Sequence, residues 1–257
     1  MAKLKDIEQF INNYLKIGDF FDDTAVNGLN VKGKSEVKKI ALGVSPNLEL
    51  FEKAVKWNAD MIITHHAILR KDVLVNEIGD IIKNRIEFLK KRSVSLLCYH
   101  LPLDFHQEVG NNILLLKKLG ADFKYRAGEY NNFKGIFFIG CFSNGISRIR
   151  LVKEIEKILK RKPEICLFGK KNIKTIAVTS GGGSSLSFLM QLSKEKVDLY
   201  LTGEISEYTP SAVKEMKFNY VAGGHYATEV FGIQALGERL EKEFKIKTKF
   251  ISVRAPY

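Results

Sequence analysis

The chain is poor in the features that mark several protein classes. It has three cysteines, Cys98, Cys141 and Cys166, in 257 residues. An odd number with no CxxC spacing argues against a disulfide framework or a zinc ribbon and leaves buried thiols in a reducing compartment. No apolar run approaches the roughly 20 residues of a membrane span, and no low-complexity tract interrupts the chain. At the N-terminus, Leu4, Ile7, Phe10, Ile11 and Tyr14 fall at helical intervals among charges, which predicts an amphipathic helix rather than a signal peptide in this segment. The expectation is a cytoplasmic protein without a membrane partner. Acidic residues are outnumbered, 29 against 41 lysines and arginines, for a net charge of +12. That balance invites nucleic acid, yet no RNP, zinc-finger or helix-turn-helix signature accompanies it. KNRIEFLKKR (83–92) and RIRLVKEIEKILKRK (148–162) carry their charge between helically spaced apolar residues, as solvated helix faces do. Nucleic acid is therefore a minor expectation, and steering of an anionic substrate the better use of the charge.

What is present is an alternation of strand-like and helical runs. Strands are predicted over 38–44, 60–66, 93–100, 133–142, 165–169, 175–180, 197–203, 219–225 and 247–253. Helices are predicted over 48–59, 76–92, 111–120, about 147–161, 184–195, 209–217 and 228–244. Continuous apolar strands separated by helices indicate βαβ units and an α/β fold with helices packed on mixed sheets. A faint repeat aligns KKIALGVSPNLELFEKAVKWNADMIITHH with IKTIAVTSGGGSSLSFLMQLSKEKVDLYLTGE. It suggests two related α/β halves, approximately 1–130 and 131–257, with the join near 125–150 and the chain free to cross between them. Sites in such sheets gather at the carboxyl ends of strands. Thr64-His65-His66, His100, Thr202-Gly203-Glu204 and Gly224-His225 all fall there.

The chain has five histidines, His65, His66, His100, His106 and His225, each at a predicted strand end or in the loop just after one. A lone histidine at a strand end is usually a hydrogen-bonded structural residue; all of them together point to metal, for which neutral imidazole is the commonest ligand. Adjacent residues of a strand face opposite ways, so His65 and His66 serve one compact site poorly. If the strand breaks at His65, they can serve two neighbouring metals. His225 and Glu229 stand at i and i+4, one face of a helix start, either as a ligand pair or as an ordinary first turn. Asp104 follows His100 in CYHLPLDFHQEVGNN and would be a good bridging carboxylate. Such a mixed nitrogen and oxygen set suits zinc, manganese, iron or cobalt. SGGGSS (180–185) is either a phosphate cradle at a helix start or a plain tight turn.

Taken together, DDTAVNGLNV, ITHHAI, YHLPLDFHQEVGNN, SGGGSS, DLYLTGEISEYT and GGHYATEVFGIQALGERL resemble the NIF3 family of dinuclear metal-centre proteins nearly end to end. The match is to the short bacterial type known as a GTP cyclohydrolase 1 type 2 homologue. The resemblance implies two divalent metal ions per chain (zinc, iron or manganese), in a cleft between the two halves. They would be held by His65, His66, Asp104, His225 and Glu229. Glu229 would bridge, with His66 and Asp104 on one metal and His65 and His225 on the other. His100 and Glu204 match further family positions and are expected in catalysis, His100 as a proton shuttle. The family further implies a homohexamer, a trimer of dimers. Its activity would be metal-dependent hydrolysis of a nucleotide, as purine ring opening of GTP with release of formate or as phosphoester cleavage. The alternative is a non-catalytic metal-binding ring that holds nucleic acid or a protein partner. DDTAVNG departs from the family's aromatic-containing form, which bears on substrate contacts rather than on the metal ligands.

Overall fold

The computed structural model describes residues 1–72 and 79–253. Its chain forms two compact units, one made of Met1–Val109 with the stretch from Gly232 onward, the other of Gly110–Phe231. The first stretch carries β1 (Ala2–Lys3), α1 (Leu4–Tyr14), β2 (Gly28–Val31), β3 (Glu36–Val37), β4 (Lys39–Gly43), α2 (Leu48–Lys56), β5 (Met61–Thr64), α3 (Asp80–Lys91), β6 (Ser95–Cys98) and α4 (Leu101–Asp104). Next come α5 (Asn111–Leu119), β7 (Asp122–Tyr130), β8 (Phe133–Ser147), α6 (Arg148–Leu159), β9 (Glu164–Leu167), β10 (Asn172–Thr179), α7 (Leu186–Leu192), β11 (Leu199–Thr202), α8 (Thr209–Glu215), β12 (Asn219–Ala222) and α9 (His225–Thr228). The chain closes with α10 (Val230–Phe244) and β13 (Lys247–Phe250).

In the first unit, the described residues build a sheet in the order β13-β4-β5-β6-β2, beside a short antiparallel β1–β3 pair. The β13/β4, β4/β5 and β5/β6 pairs are parallel and β2 is antiparallel to β6. Strand alternation divides the core cleanly. Ile40, Leu42, Met61, Ile63 and Leu97 pack with Leu4, Ile7 and Ile11 of α1 and Ile233, Leu236 and Leu240 of α10. Ala41, Ile62 and Leu96 face the other way, against Leu50, Phe51 and Ala54 of α2 and Leu89 of α3. Burying each such aliphatic side chain stabilises by about 1.5–3 kcal/mol, and it is this two-sided burial that holds the carboxyl ends of β4, β5 and β6 rigid.

The C-terminal stretch crosses back between the units. It returns to the first unit because β13 pairs in parallel register with β4, Thr248 opposite Ile40, while α10 buries its apolar stripe in that core. The part of the 76–92 helix over residues 76–78 lies outside the described residues.

The second unit has the strand order β7-β8-β10-β11-β12-β9. The β10/β11 and β11/β12 pairs are parallel, while β8, β9 and β7 attach antiparallel. One face packs Ile176, Val178, Leu199, Leu201 and Val221 against α5 and α6. On the other, Phe137 meets Phe188 of α7 edge-on at 5.4 Å and Tyr200 at 5.8 Å, and Tyr200 meets Tyr220 at 5.6 Å. Sequence periodicity missed β7, because DFKYRAGEY is polar and half-exposed and its register against β8 is broken by irregularities. Among the described residues no helix is long and apolar enough to cross a membrane.

Candidate metal centre

In the first unit, β5 stops at Thr64 because the Thr64 hydroxyl donates to His66 O at 2.7 Å and folds the chain over. The His65 and His66 amides still donate to Gly43 O and Val44 O, at 3.2 and 2.8 Å, so the turn stays tied to the end of β4. The strand does break at the histidine pair. His65 is buried and His66 half-buried, their ring centroids 5.1 Å apart.

His65 Nδ1 lies 3.0 Å from Tyr99 O. A carbonyl only accepts, so Nδ1 carries the proton and Nε2 presents a lone pair, the form in which imidazole binds metal. Nε2 stands 3.4 Å from Asp104 Oδ2. That is long for a charge-assisted hydrogen bond, about 2.7–2.9 Å. Two ligand atoms about 2.1 Å from one ion at a near-tetrahedral angle stand about 3.4 Å apart. His66 Nδ1 is 3.0 Å from Ser45 Oγ.

His100 completes this group: one nitrogen of each of His65 and His100 and one Asp104 oxygen lie within 4.8 Å of one another. Its Nδ1 is held by Asp23 at 3.0 and 3.2 Å. Asp23 is 1% exposed and also accepts from Ala25 N (3.1 Å), Asn27 Nδ2 (2.9 Å) and Leu101 N (3.2 Å). Burial pushes its carboxyl up, but the hydrogen bond and charge of His100, with those of Asn27 and Ala25, bring it below the usual carboxylate range. Sequence reasoning missed Asp23. The available signal was the Asx turn in Asp23-Thr24-Ala25, a carboxylate bonding the amide two residues on. His106, by contrast, is structural: Nε2–H donates to Tyr14 O at 3.1 Å, and Nδ1 accepts from Glu108 N and Val109 N at 3.2 and 3.3 Å.

The second unit builds a similar couple from different strands. After β12 the chain turns through Gly224, at φ +94°, into α9, which His225 opens and Glu229 caps. His225 Nδ1 lies 2.6 Å from Glu204 Oε1 and Nε2 lies 3.3 Å from Glu229 Oε1. Burial opposes a charge on His225, but hydrogen bonding and charge from Glu229 and Glu204 outweigh it and push its pKa up to about 9. Glu229 is 2% exposed. The helix predicted from 228 is interrupted at Glu229, where φ is −113°; the long helix starts at Val230. The i,i+4 pairing survives because it sits within the single turn of α9.

SGGGSS backs this couple. Gly181 has φ +64°, and a Cβ there would run into Glu229 Oε1. Ser180 N, Gly181 N and Gly183 N already donate to Asn112 Oδ1, Thr228 Oγ1 and Gly181 O. With those three amides committed, Gly181 serves by leaving room for the carboxylate.

A family model described as Duf34/NIF3 (NGG1p interacting factor 3) matches residues 2–256. The chain belongs to the Duf34/NIF3 family. A Pyrococcus horikoshii relative named GTP cyclohydrolase 1 type 2 homolog is 38% identical, with 96% of each chain covered. A Yersinia pestis relative of the same name is 35% identical, with 98% of each covered. Among solved structures, a protein described as ybgI, of unknown function, superposes over 100% of both chains with a TM-score of 0.91 and 33% identity. TTHA1606 from Thermus thermophilus also covers 100% of both, with a TM-score of 0.85 and 27% identity. In this Duf34/NIF3 chain, His65, His66, His100 and Asp104 therefore sit at the strand ends of the first unit, and Glu204, His225 and Glu229 at those of the second. Imidazole and carboxylate donors in this arrangement fit a divalent metal of the zinc, iron or manganese kind.

Proposed function

We propose that the protein is a metal-dependent hydrolase acting on a nucleotide, with two divalent ions per chain held by His65, His66, Asp104, His225 and Glu229. The observation that carries this reading is the matched pair of imidazole–carboxylate couples. Each has its Nδ1 fixed by an acceptor, and the Nε2 to oxygen separations are 3.4 and 3.3 Å. The names of the curated relatives support the substrate class. Divalent metals held by these donors would supply Lewis acidity toward an electrophilic carbon or phosphorus and toward water.

The chain's own residues do the rest. Asp23 holds Nδ1–H of His100, so proton exchange falls to Nε2, on a ring whose side chain is 30% exposed. Glu204 is a positioning residue in this reading: its carboxylate fixes the His225 ring and selects the tautomer. The basic surface draws the anionic substrate in. The working assembly is a homohexamer, a trimer of dimers. Exposed apolar side chains on α7 and β7, Leu186 (47%), Met190 (62%) and Tyr130 (50%), support self-association.

The test is elemental analysis of protein purified without added metal, followed by GTP turnover with each metal restored, reading formate and phosphate separately. Formate release that requires two metals per chain is the expected result for ring opening. Phosphate alone assigns phosphoester cleavage. Two metals without turnover of any nucleotide would sink the hydrolase reading and leave the non-catalytic metal-binding ring.

A further inference from the structure

A cavity of about 440 Å³ opens in the first unit between the end of α2 and the edge strand β13. It is lined by Lys53, Lys56, Trp57, Lys249, Phe250 and Ile251. None of these belongs to the metal donors or to their hydrogen-bond partners. Trp57 is the chain's single tryptophan, and it is partly exposed.

Cations crowd this ring. Lys39 Nζ lies 5.1 Å and Lys249 Nζ 5.8 Å from its centroid. Lys247 stands directly opposite Lys39 in the β13/β4 register, and like charges so paired repel. Lys53 and Lys56 lie in the last turn of α2, where the helix dipole favours cations, so those two alone would be unremarkable. Lys249 comes from the sheet edge and the dipole does not account for it. Lys53 is engaged by Glu49 at 2.6 Å. Among the described residues, neither Lys56 nor Lys249 forms an ion pair.

We propose that this cavity is a binding site for a mononucleotide, its base packed against Trp57 and its phosphate held by Lys56 and Lys249. The volume lies within the roughly 300–1,000 Å³ of small-molecule sites. Lysines bind phosphate as point charges, and an aromatic ring stacks on any base. A single carboxylate would leave most of the positive charge unneutralised; a phosphate dianion answers two lysines at once. The site is independent of the hydrolase reading, since it shares no residue with the donors described above.

The lone tryptophan is the reporter. Titration of the full-length, metal-free protein with GMP should change Trp57 emission saturably. Lys249→Ala and Lys56→Ala should each raise the Kd about tenfold, the scale of one hydrogen bond to a charged group. Circular dichroism of the lysine variants confirms that they fold. Absence of a saturable change overturns the proposal, as does a GMP affinity indifferent to both lysines. Inorganic phosphate binding as tightly as GMP would remove the base from the site and overturn it as well. A thymidine oligonucleotide binding far more tightly than GMP would replace the mononucleotide with single-stranded nucleic acid.

Discussion

Asp60, just ahead of β5, accepts from Lys38 N and Lys39 N at 2.9 and 3.2 Å, and Asp198, just ahead of β11, accepts from Lys174 N and Thr175 N at 2.8 and 3.0 Å. Each also receives a lysine: Lys34 at 3.4 Å and Lys170 at 2.8 Å. In both units this carboxylate ties together the amino ends of two parallel strands, β4 with β5 and β10 with β11. At the carboxyl ends the units diverge. In the first, β5 delivers the histidine, while the chain after β6 delivers its anchor, Tyr99 O, and its carboxylate, Asp104. In the second, β11 delivers the anchor, Glu204, and the chain after β12 delivers both His225 and Glu229. One scaffold thus presents the same couple by two allocations of the same loops. The lesson is that parallel sheets fix where donors lie, while loop chemistry decides which strand supplies which atom.

The largest way to break this parallel is to remove either imidazole. His65→Ala and His225→Ala should each weaken metal binding by at least about 100-fold, more than the loss of an outer partner, read by chelator competition on dialysed protein. They should differ in stability. The His65 side chain is wholly buried and that of His225 is 39% exposed, so only His65→Ala leaves a cavity. It should cost about 2–3 kcal/mol in urea unfolding. Unchanged metal content in either variant would remove that residue from the donor set.

Next comes Gly181→Ala, which touches only the second couple. The left-handed backbone alone makes alanine cost about 1 kcal/mol, and the new methyl displaces Glu229. Metal affinity should fall about 10–100-fold, on the scale of disturbed ligand orientation. An alanine variant with native affinity would mean that Gly181 serves the turn and not the carboxylate.

The anchors sharpen the comparison further. Asp23→Asn breaks a buried, multiply bonded carboxylate and should cost about 2–3 kcal/mol of stability. Glu204→Gln removes an anchor whose side chain is 48% exposed. Stability should stay within about 0.5 kcal/mol, while metal affinity falls about tenfold. Equal stability losses in the two variants would contradict the difference in burial.

The fold was legible where strands are continuously apolar: 38–44, 60–66, 93–100, 175–180, 197–203 and 219–225 all contain observed parallel strands. Two-sided burial writes itself into sequence as an unbroken hydrophobic run. Strand β7, β2 and the short β1–β3 pair were not, because an edge strand has one or no buried face and its pairing is set by a distant partner. Where the chain crosses between the units was not legible for a related reason. Nothing local in KTKFISV says that it pairs with residues 39–42, some 200 positions earlier. The histidines and carboxylates that gather at the strand ends could be picked out from residue type and position, since few residue types can hold a metal. Ser45 and the Tyr99 carbonyl could not, and Asp23 showed only as an Asx turn, because an anchor is defined by what it faces in three dimensions. The role of Glu204 as the support of His225 was hidden in the same way.

The smallest predicted effect concerns the amino ends, where the units are most alike. Asp198 has side-chain exposure of 5% against 17% for Asp60, and its lysine is closer. Burial pushes the Asp198 carboxyl up, but hydrogen bonds from Lys170 and from the Lys174 and Thr175 amides, with the Lys170 charge, hold it below the usual range. A depressed carboxyl stabilises the fold fully above its unfolded value, about 3.9. That stabilisation is lost as pH falls through the lower folded value. Asp198→Asn should therefore cost about 1–2 kcal/mol at neutral pH, the scale of a hydrogen bond to a charged group, and the gap from the parent should close below about pH 4. Asp60→Asn, at a more open site, should cost under about 1 kcal/mol. Denaturant unfolding of both variants across this range checks the order. If Asp60→Asn proved the costlier, strand pairing at the head of β4 and β5 would carry more of the first unit than its exposure indicates, and the likeness of the two devices would be one of form alone.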